Sequence, residues 1–190
     1  MRLILASASP RRLDLLARIG VAVAAVDPAE IDETPFPAER PVDYARRIAD
    51  AKAASVASRH ADAVVLAADT VVAAGRRILP KAADAEDVRA CLKLLAGRRH
   101  HVLSAVTVID AAGVARHRLS DSIVTFGPLG DATIDAYSES GEGIGKAGGY
   151  AIQGRAEAFV RFLAGSHSGV VGLPLFETRA LLLTAGITLG

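Results

Sequence analysis

The sequence holds one cysteine, one methionine and no tryptophan in 190 residues, and aromatics make up only 4%. A single cysteine, Cys91, excludes an internal disulfide framework and a cysteine-based zinc site. So few aromatics argue against a base-stacking platform for single-stranded nucleic acid. Charge of one sign is also missing: 22 basic residues face 21 acidic ones, a formal +1. That balance gives no bulk attraction to nucleic acid or to an anionic membrane. No apolar run approaches the roughly 18 residues a spanning helix needs, because Arg, Asp or Lys interrupts each candidate. The opening MRLILASASP is too short for a signal h-region, and Pro10-Arg11-Arg12 follows at once. The expectation is a cytoplasmic protein with no nucleic-acid or membrane partner.

What is present is apolar residues, 51% of the chain, with alanine alone about a fifth. At roughly 150 residues per domain, the length predicts one domain over 1–190, with room for two lobes. Leu3 to Ala6 reads as a buried strand. Ser9-Pro10 then reads as a helix start, with Ser9 as N-cap, and Gly20 as its stop. Val21 to Val26 reads as a second strand, followed by a polar, Pro-rich loop from Asp27 to Pro41. Helical spacing runs over Val42 to Ala57. A buried strand over Ala63 to Ala68 runs into Asp69-Thr70, and Val71 to Leu79 suggests a hairpin about Gly75. Asp84 to Leu95 is the clearest helix, with Val88, Cys91, Leu92 and Leu95 on one stripe. Long strands are expected over His101 to Ile109 and Val114 to Phe126. A short helix is expected over Asp131 to Glu139, and Pro174 to Thr184 reads as the C-terminal helix. Ala158 to Leu163 is a further apolar segment. Alternation early and a long hairpin later predict an α/β fold with a mixed sheet flanked by helices.

Three features carry chemistry. Ser7-Ala8-Ser9-Pro10-Arg11-Arg12 lies between a strand and a helix N-terminus. Exposed N–H groups, the helix dipole, two hydroxyls and two guanidiniums there suit a polyphosphate. The other reading is an ordinary cap followed by two solvated arginines. Asp69 sits at the expected end of a buried strand, a common position for chemistry in α/β folds. With Asp32 or Glu33 it could hold a divalent cation, or it could take a proton from water. Equally, Asp69 caps a turn and Asp32-Glu33 are solvated. Lys52 falls on the apolar stripe of its helix, so it either snorkels or meets an anionic partner. Lys81 carries no signal alone.

Six glycines fall between Gly141 and Gly154. Gly143 to Gly148 matches G-x-G-x-x-G, but no strand precedes it and no acid follows about 20 residues on. The run reads as a flexible loop, or one that a ligand approaches closely. The Gln153 amide beyond it suits the edge of a nucleobase. His100 and His101 are adjacent and would point to opposite faces of a strand. Cys91 reads as core.

Together these residues resemble the Maf family of nucleotide pyrophosphatases. The resemblance rests on five ordered blocks: Leu5 to Arg12, Ala68-Asp69-Thr70-Val71-Val72, Leu95-Ala96-Gly97-Arg98, Lys146 to Gly154, and Val171 to Leu175. It implies a Maf/ITPase-like fold of two lobes about a central cleft, and a homodimer. It implies hydrolysis of a nucleoside triphosphate to the monophosphate and pyrophosphate with a divalent metal, Mg or Mn. Asp69 would be the proton acceptor. Arg11, Thr70 and Gln153 would set substrate choice, in the pattern of the dTTP and UTP subgroup. Ser7, Arg12, Lys52 and Lys81 would line the phosphate site, and Glu33 and Asp69 the metal site. A non-catalytic regulator of septum formation, and a pyrophosphatase of 7-methyl-GTP or other purines, are the alternatives. One departure stands out. The family pattern around the second lysine is Gly-Lys-Pro, and here it is Pro80-Lys81-Ala82.

Overall fold

The computed structural model describes residues 1–189. The chain opens with β1 (Leu3–Leu5), α1 (Pro10–Arg18), β2 (Ala25–Val26) and α2 (Pro41–Ala57). Then come β3 (Val64–Ala74), β4 (Arg77–Leu79), α3 (Ala85–Leu95), β5 (Arg99–Ile109), β6 (Ala115–Phe126) and α4 (Asp131–Glu139). A 3-10 turn (Arg155–Phe159), β7 (Val160–Ala164), α5 (His167–Val171) and α6 (Leu175–Thr184) complete it.

The strands form one seven-stranded sheet in the order β2-β1-β3-β5-β6-β7, with β4 also on β3. β1 pairs with β2 and β3 in parallel, and all other pairs are antiparallel. The expected mixed sheet is therefore what the chain forms. Both faces of the central strands β1, β3 and β5 are buried, with side chains alternating between the two layers. Val65, Ala67 and Val71 of β3 face α2, against Ala53, Val56, Ala45 and Ile48. Val64, Leu66, Ala68 and Val72 face the other layer, with Leu15, Leu16, Leu92, Leu95 and Leu182. Alanine at Ala45, Ala49 and Ala53, all fully buried, favours the helix and lets α2 lie close to the sheet.

Several elements differ from the sequence expectation. The second strand shrinks to Ala25–Val26, because its only partner, β1, offers a three-residue edge. Ser9 occupies the N-cap position of α1, but its side chain makes no capping bond. Asp84 does cap α3, accepting from Asp87 N–H at 2.9 Å, and Ser166 caps α5, accepting from Gly169 N–H at 2.9 Å. Helix α5 had no sequence signal, since five residues cannot show a period. The segment from Ala158 to Leu163 divides into the end of the 3-10 turn and the start of β7.

The largest correction concerns Asp69. It does not end a strand: β3 runs unbroken from Val64 to Ala74. β1 pairs with β3 only over residues 64–66, and β4 only over residues 72–74. Between them, residues 67–71 keep β5 on one edge and have no strand on the other. Asp69 and Thr70 lie in this gap. Their side chains leave opposite faces of the strand, yet both reach the same opening.

Candidate active site

The gap in the sheet opens into a cleft of about 410 Å³, within the range of ligand pockets. The β1–α1 connection and α2 supply one wall. The β4–α3 connection and the glycine-rich loop supply the other, and Val170 to Gly172 close the end. Five cations line it (Arg11, Arg12, Lys52, Lys81 and Lys146) against two carboxylates, Glu33 and Asp69. The small bulk charge of the chain conceals this local excess.

Lys52 is the hub of the first wall. It is 8% exposed, and Asp69 is 4% exposed. The Lys52 ammonium donates to Asp69 Oδ1 at 2.8 Å and contacts Glu33 Oε1 at 2.8 Å. Lys81 Nζ donates to the other Glu33 oxygen, Oε2, at 2.7 Å. Of the two readings of Lys52, the anionic partner is the one realised. Burial pushes the Glu33 carboxyl up, but the bonds from Lys52 and Lys81 outweigh it and leave the group below its usual range.

Glu33 reaches this position because α2 fastens its loop. Tyr44 Oη donates to the Glu33 carbonyl at 2.8 Å, and Arg47 Nη2 to the Thr34 carbonyl at 3.1 Å. Burial, with Asp69 and Glu33 nearby, raises the Tyr44 phenol to about 12, so it remains a donor. Asp32 turns away and accepts from Thr34 N–H at 2.8 Å.

At the start of α1, Arg12 donates from Nη1 to Ser7 Oγ at 2.7 Å and from Nε to the Gly172 carbonyl at 2.8 Å. The two ends of the chain meet through this guanidinium. Burial lowers the pKa of both Arg11 and Arg12, and among the described residues neither has a carboxylate within ion-pair distance. Asp69 and Glu33 act on Arg12 only from beyond ion-pair distance, and guanidiniums without a direct carboxylate partner favour an incoming anion.

On the second wall, the glycine-rich loop packs closely against Val72 of β3. Gly148 has φ +68°, and a Cβ there would lie 2.8 Å from Val72 Cγ1. The Pro80-Lys81-Ala82 departure shows its consequence here. Ala82 N–H donates to the Lys146 carbonyl at 3.1 Å, a bond that proline at that position could not make. Lys146 itself was missed by the motif reading. It is half-buried in the cleft, and among the described residues its ammonium donates only to its own loop, to the Ile144 carbonyl at 3.0 Å. Burial and then Arg11 push its pKa down. The available signal was that it is the one basic residue between Gly141 and Gly154.

The structure thus gathers Ser7, Arg11, Arg12, Glu33, Lys52, Asp69, Thr70 and Lys81 around one cleft. Gln153 is not among the lining residues. It is exposed, in a turn closed by Gly154 N–H on the Ala151 carbonyl at 3.1 Å. His100 points inward, with Nε2 2.8 Å from Tyr150 Oη, while His101 pairs with Asp121 on the opposite face. Cys91 is buried in the core. Among the described residues, no three His, Cys, Asp or Glu side chains cluster as a metal cage, and no helix is long and apolar enough to cross a membrane. Glu33 and Asp69 do offer hard oxygen ligands, and Asp69 Oδ2 accepts no protein hydrogen bond among the described residues. Mg²⁺ commonly binds by one or two carboxylates plus substrate phosphates, so the pair fits such an ion.

A solved HAM1 protein from Coxiella burnetii is similar at TM-score 0.49 and 16% identity, over 97% of this chain and 98% of that one. Curated relatives are far nearer. A dTTP/UTP pyrophosphatase of Sphingopyxis alaskensis is 64% identical over 99% of this chain and 98% of its own length. Another dTTP/UTP pyrophosphatase, of Zymomonas mobilis, is 61% identical over 97% of this chain and 91% of its own. The family model for Maf-like proteins matches residues 2–185, which takes in every residue of the cleft, and the chain belongs to the Maf family.

Proposed function

We propose that this protein hydrolyses nucleoside triphosphates, dTTP and UTP foremost, to the monophosphate and pyrophosphate. The observation that carries the reading is Asp69: a buried carboxylate in a break of the sheet, held by Lys52, inside a cleft where five cations outnumber two carboxylates. The activity for which the two relatives above are named agrees with it. The whole chain, 1–190, acts as one domain in this reading, because the cleft draws residues from Ala6 to Gly172.

Asp69 takes the proton of a water that attacks the phosphoryl group in line. The new P–O bond forms as the bond to the pyrophosphate oxygen breaks. Lys52 holds Oδ1, which orients the carboxylate and leaves Oδ2 for the proton. Arg11, Arg12, Lys81 and Lys146 balance the negative charge that grows on the leaving pyrophosphate. Glu33 and Asp69 would hold a divalent cation, Mg²⁺ or Mn²⁺, which supplies charge neutralisation of the triphosphate when bound. Arg11, Thr70 and Gln153 together set nucleotide choice; Gln153 stands just beyond Ala151, which lines the cleft.

Pyrophosphate release with Mg²⁺ or Mn²⁺, measured across a panel of pyrimidine and purine triphosphates, tests this. Turnover of dTTP and UTP is expected, falling about 10²- to 10⁴-fold in Asp69→Asn with the circular dichroism spectrum unchanged. Binding without turnover of any nucleotide would make the protein a regulator instead. A preference for 7-methyl-GTP would overturn the pyrimidine assignment.

A further inference from the structure

Two of the hydroxyls that line the cleft, those of Ser7 and Thr70, have hydrogen bonds that give them opposite polarity. A hydroxyl has one proton to donate and two lone pairs. Ser7 Oγ already accepts twice, from Arg12 Nη1 at 2.7 Å and from Ser9 N–H at 3.3 Å. Its own proton has no protein acceptor among the described residues. Toward a ligand, Ser7 is a donor beside a guanidinium, which suits a phosphate oxygen.

Thr70 is the reverse. Its cross-strand neighbour is Ser104, fully buried, with Oγ to Oγ at 2.9 Å. Ser104 Oγ also lies 2.7 Å from the Gly169 carbonyl of α5. A carbonyl only accepts, so Ser104 gives its single proton there. The Thr70–Ser104 contact then requires Thr70 to be the donor. The alternative partner for the Thr70 proton, the Gly172 carbonyl at 3.3 Å, is again an acceptor. Either way the proton stays within the protein, and Thr70 shows the cleft a lone pair.

The two ends are joined through Arg12, which bonds both Ser7 and the Gly172 carbonyl. Thr70 Oγ1 shares the Gly172 carbonyl with Arg12 Nε and so stands beside the phosphate site, but its bare lone pair repels an anionic phosphate oxygen. Its match is an N–H donor. Uracil and thymine carry a hydrogen on ring N3. Neutral cytosine carries a lone pair there.

We propose that Ser104, behind Thr70, accepts the hydrogen bond of the Thr70 hydroxyl and thereby makes Thr70 an acceptor-only reader of the base, selecting a ring N–H against cytosine. Ser104 is a positioning residue; it touches no substrate. Its own orientation depends on α5, which the strand serines dock: Ser166 N–H donates to Ser122 Oγ at 3.0 Å, beside the Ser104 bond. The inference rests on the pyrimidine reading above, and it adds the atom that is read and the residue that sets its polarity.

The test compares UTP with CTP, in kcat/KM for pyrophosphate release and in calorimetric Kd for UMP and CMP. Wild type is expected to favour the uracil member by about 10- to 100-fold, the cost of leaving one buried polar group unmatched. Thr70→Val should abolish the preference, and Thr70→Ser should keep it. Ser104→Ala should reduce it severalfold, with the Gly172 carbonyl as the remaining acceptor. In the double variant Ser104→Ala/Thr70→Val, the ratio should equal that of Thr70→Val alone. Equal losses on both nucleotides in Ser104→Ala, or multiplying effects in the double variant, would overturn the proposal. If no nucleotide is turned over, the catalytic reading fails, while the UMP to CMP binding ratio still decides this one.

Discussion

On one wall of the cleft, Lys52 sits between two carboxylates at 2.8 Å each. On the other, Lys146 has one carbonyl of its own loop and no carboxylate within ion-pair distance among the described residues. The first wall is built by side chains that satisfy each other. The second is built by backbone, glycines packed so tightly that a cation is presented without a counter-charge. A paired lysine holds a catalytic carboxylate in place, while an unpaired one is available to an incoming anion. The same residue type does different work because its surroundings differ.

The largest effect that would sharpen this contrast comes from Lys52→Met. It strands the Asp69 carboxylate in a buried place, at a cost of about 3–5 kcal/mol in urea unfolding. A loss below about 1 kcal/mol would show that the first wall does not depend on its charges. Next is Gly148→Ala on the second wall. It combines a left-handed φ with a contact against Val72, so about 2–4 kcal/mol is expected in the same assay. An unchanged midpoint there would break the account of a backbone-built wall.

Lys146→Met should leave stability within about 0.5 kcal/mol. It should raise KM for dTTP about tenfold, the loss of one charge-assisted contact. A stability loss matching that of Lys52→Met would erase the distinction between the walls. The smallest effect is in pH dependence. Glu33 is held below its ordinary value of 4.5, so its contribution is full above that value and lost as pH falls through the folded value. The stability difference between wild type and Glu33→Gln should therefore be constant near neutrality and shrink below about pH 4.5. A difference that persists at lower pH would remove the ion pairs from the explanation.

Much of the site was legible before any fold was known. Lys52 on an apolar stripe left two readings, snorkelling or an anionic partner, because a buried ammonium is costly alone. Ser7 to Arg12, placed between an apolar run and a proline-started helix, had the form of an anion site. Other residues gave no such signal. Glu33 is one acid in a polar loop, and only Tyr44 and Arg47, eleven and fourteen residues on, hold that loop over the cleft. Ser104 reads as one polar residue in an apolar strand. Its meaning comes from Thr70 across the sheet and Gly169 on α5.

The sequence by itself determined the elements and the chemistry they carry. Apolar periodicity made the strands and helices, proline and glycine bounded them, and the scarcity of cysteine and aromatics left charge and hydroxyls as the working groups. A near-zero net charge was compatible with a strongly cationic cleft, since a sum over the chain says nothing of where charges gather. Only the tertiary structure decided that Asp69 lies in the middle of a strand rather than at its end. β1 stops at Leu5, opposite Leu66, and β4 stops at Leu79, opposite Val72, so β3 is left bare on one edge over residues 67–71. Strand pairing is a contact between distant segments, and no local pattern in β3 records where its neighbours end. That accident of pairing lets adjacent residues from opposite faces, Asp69 and Thr70, serve one cleft.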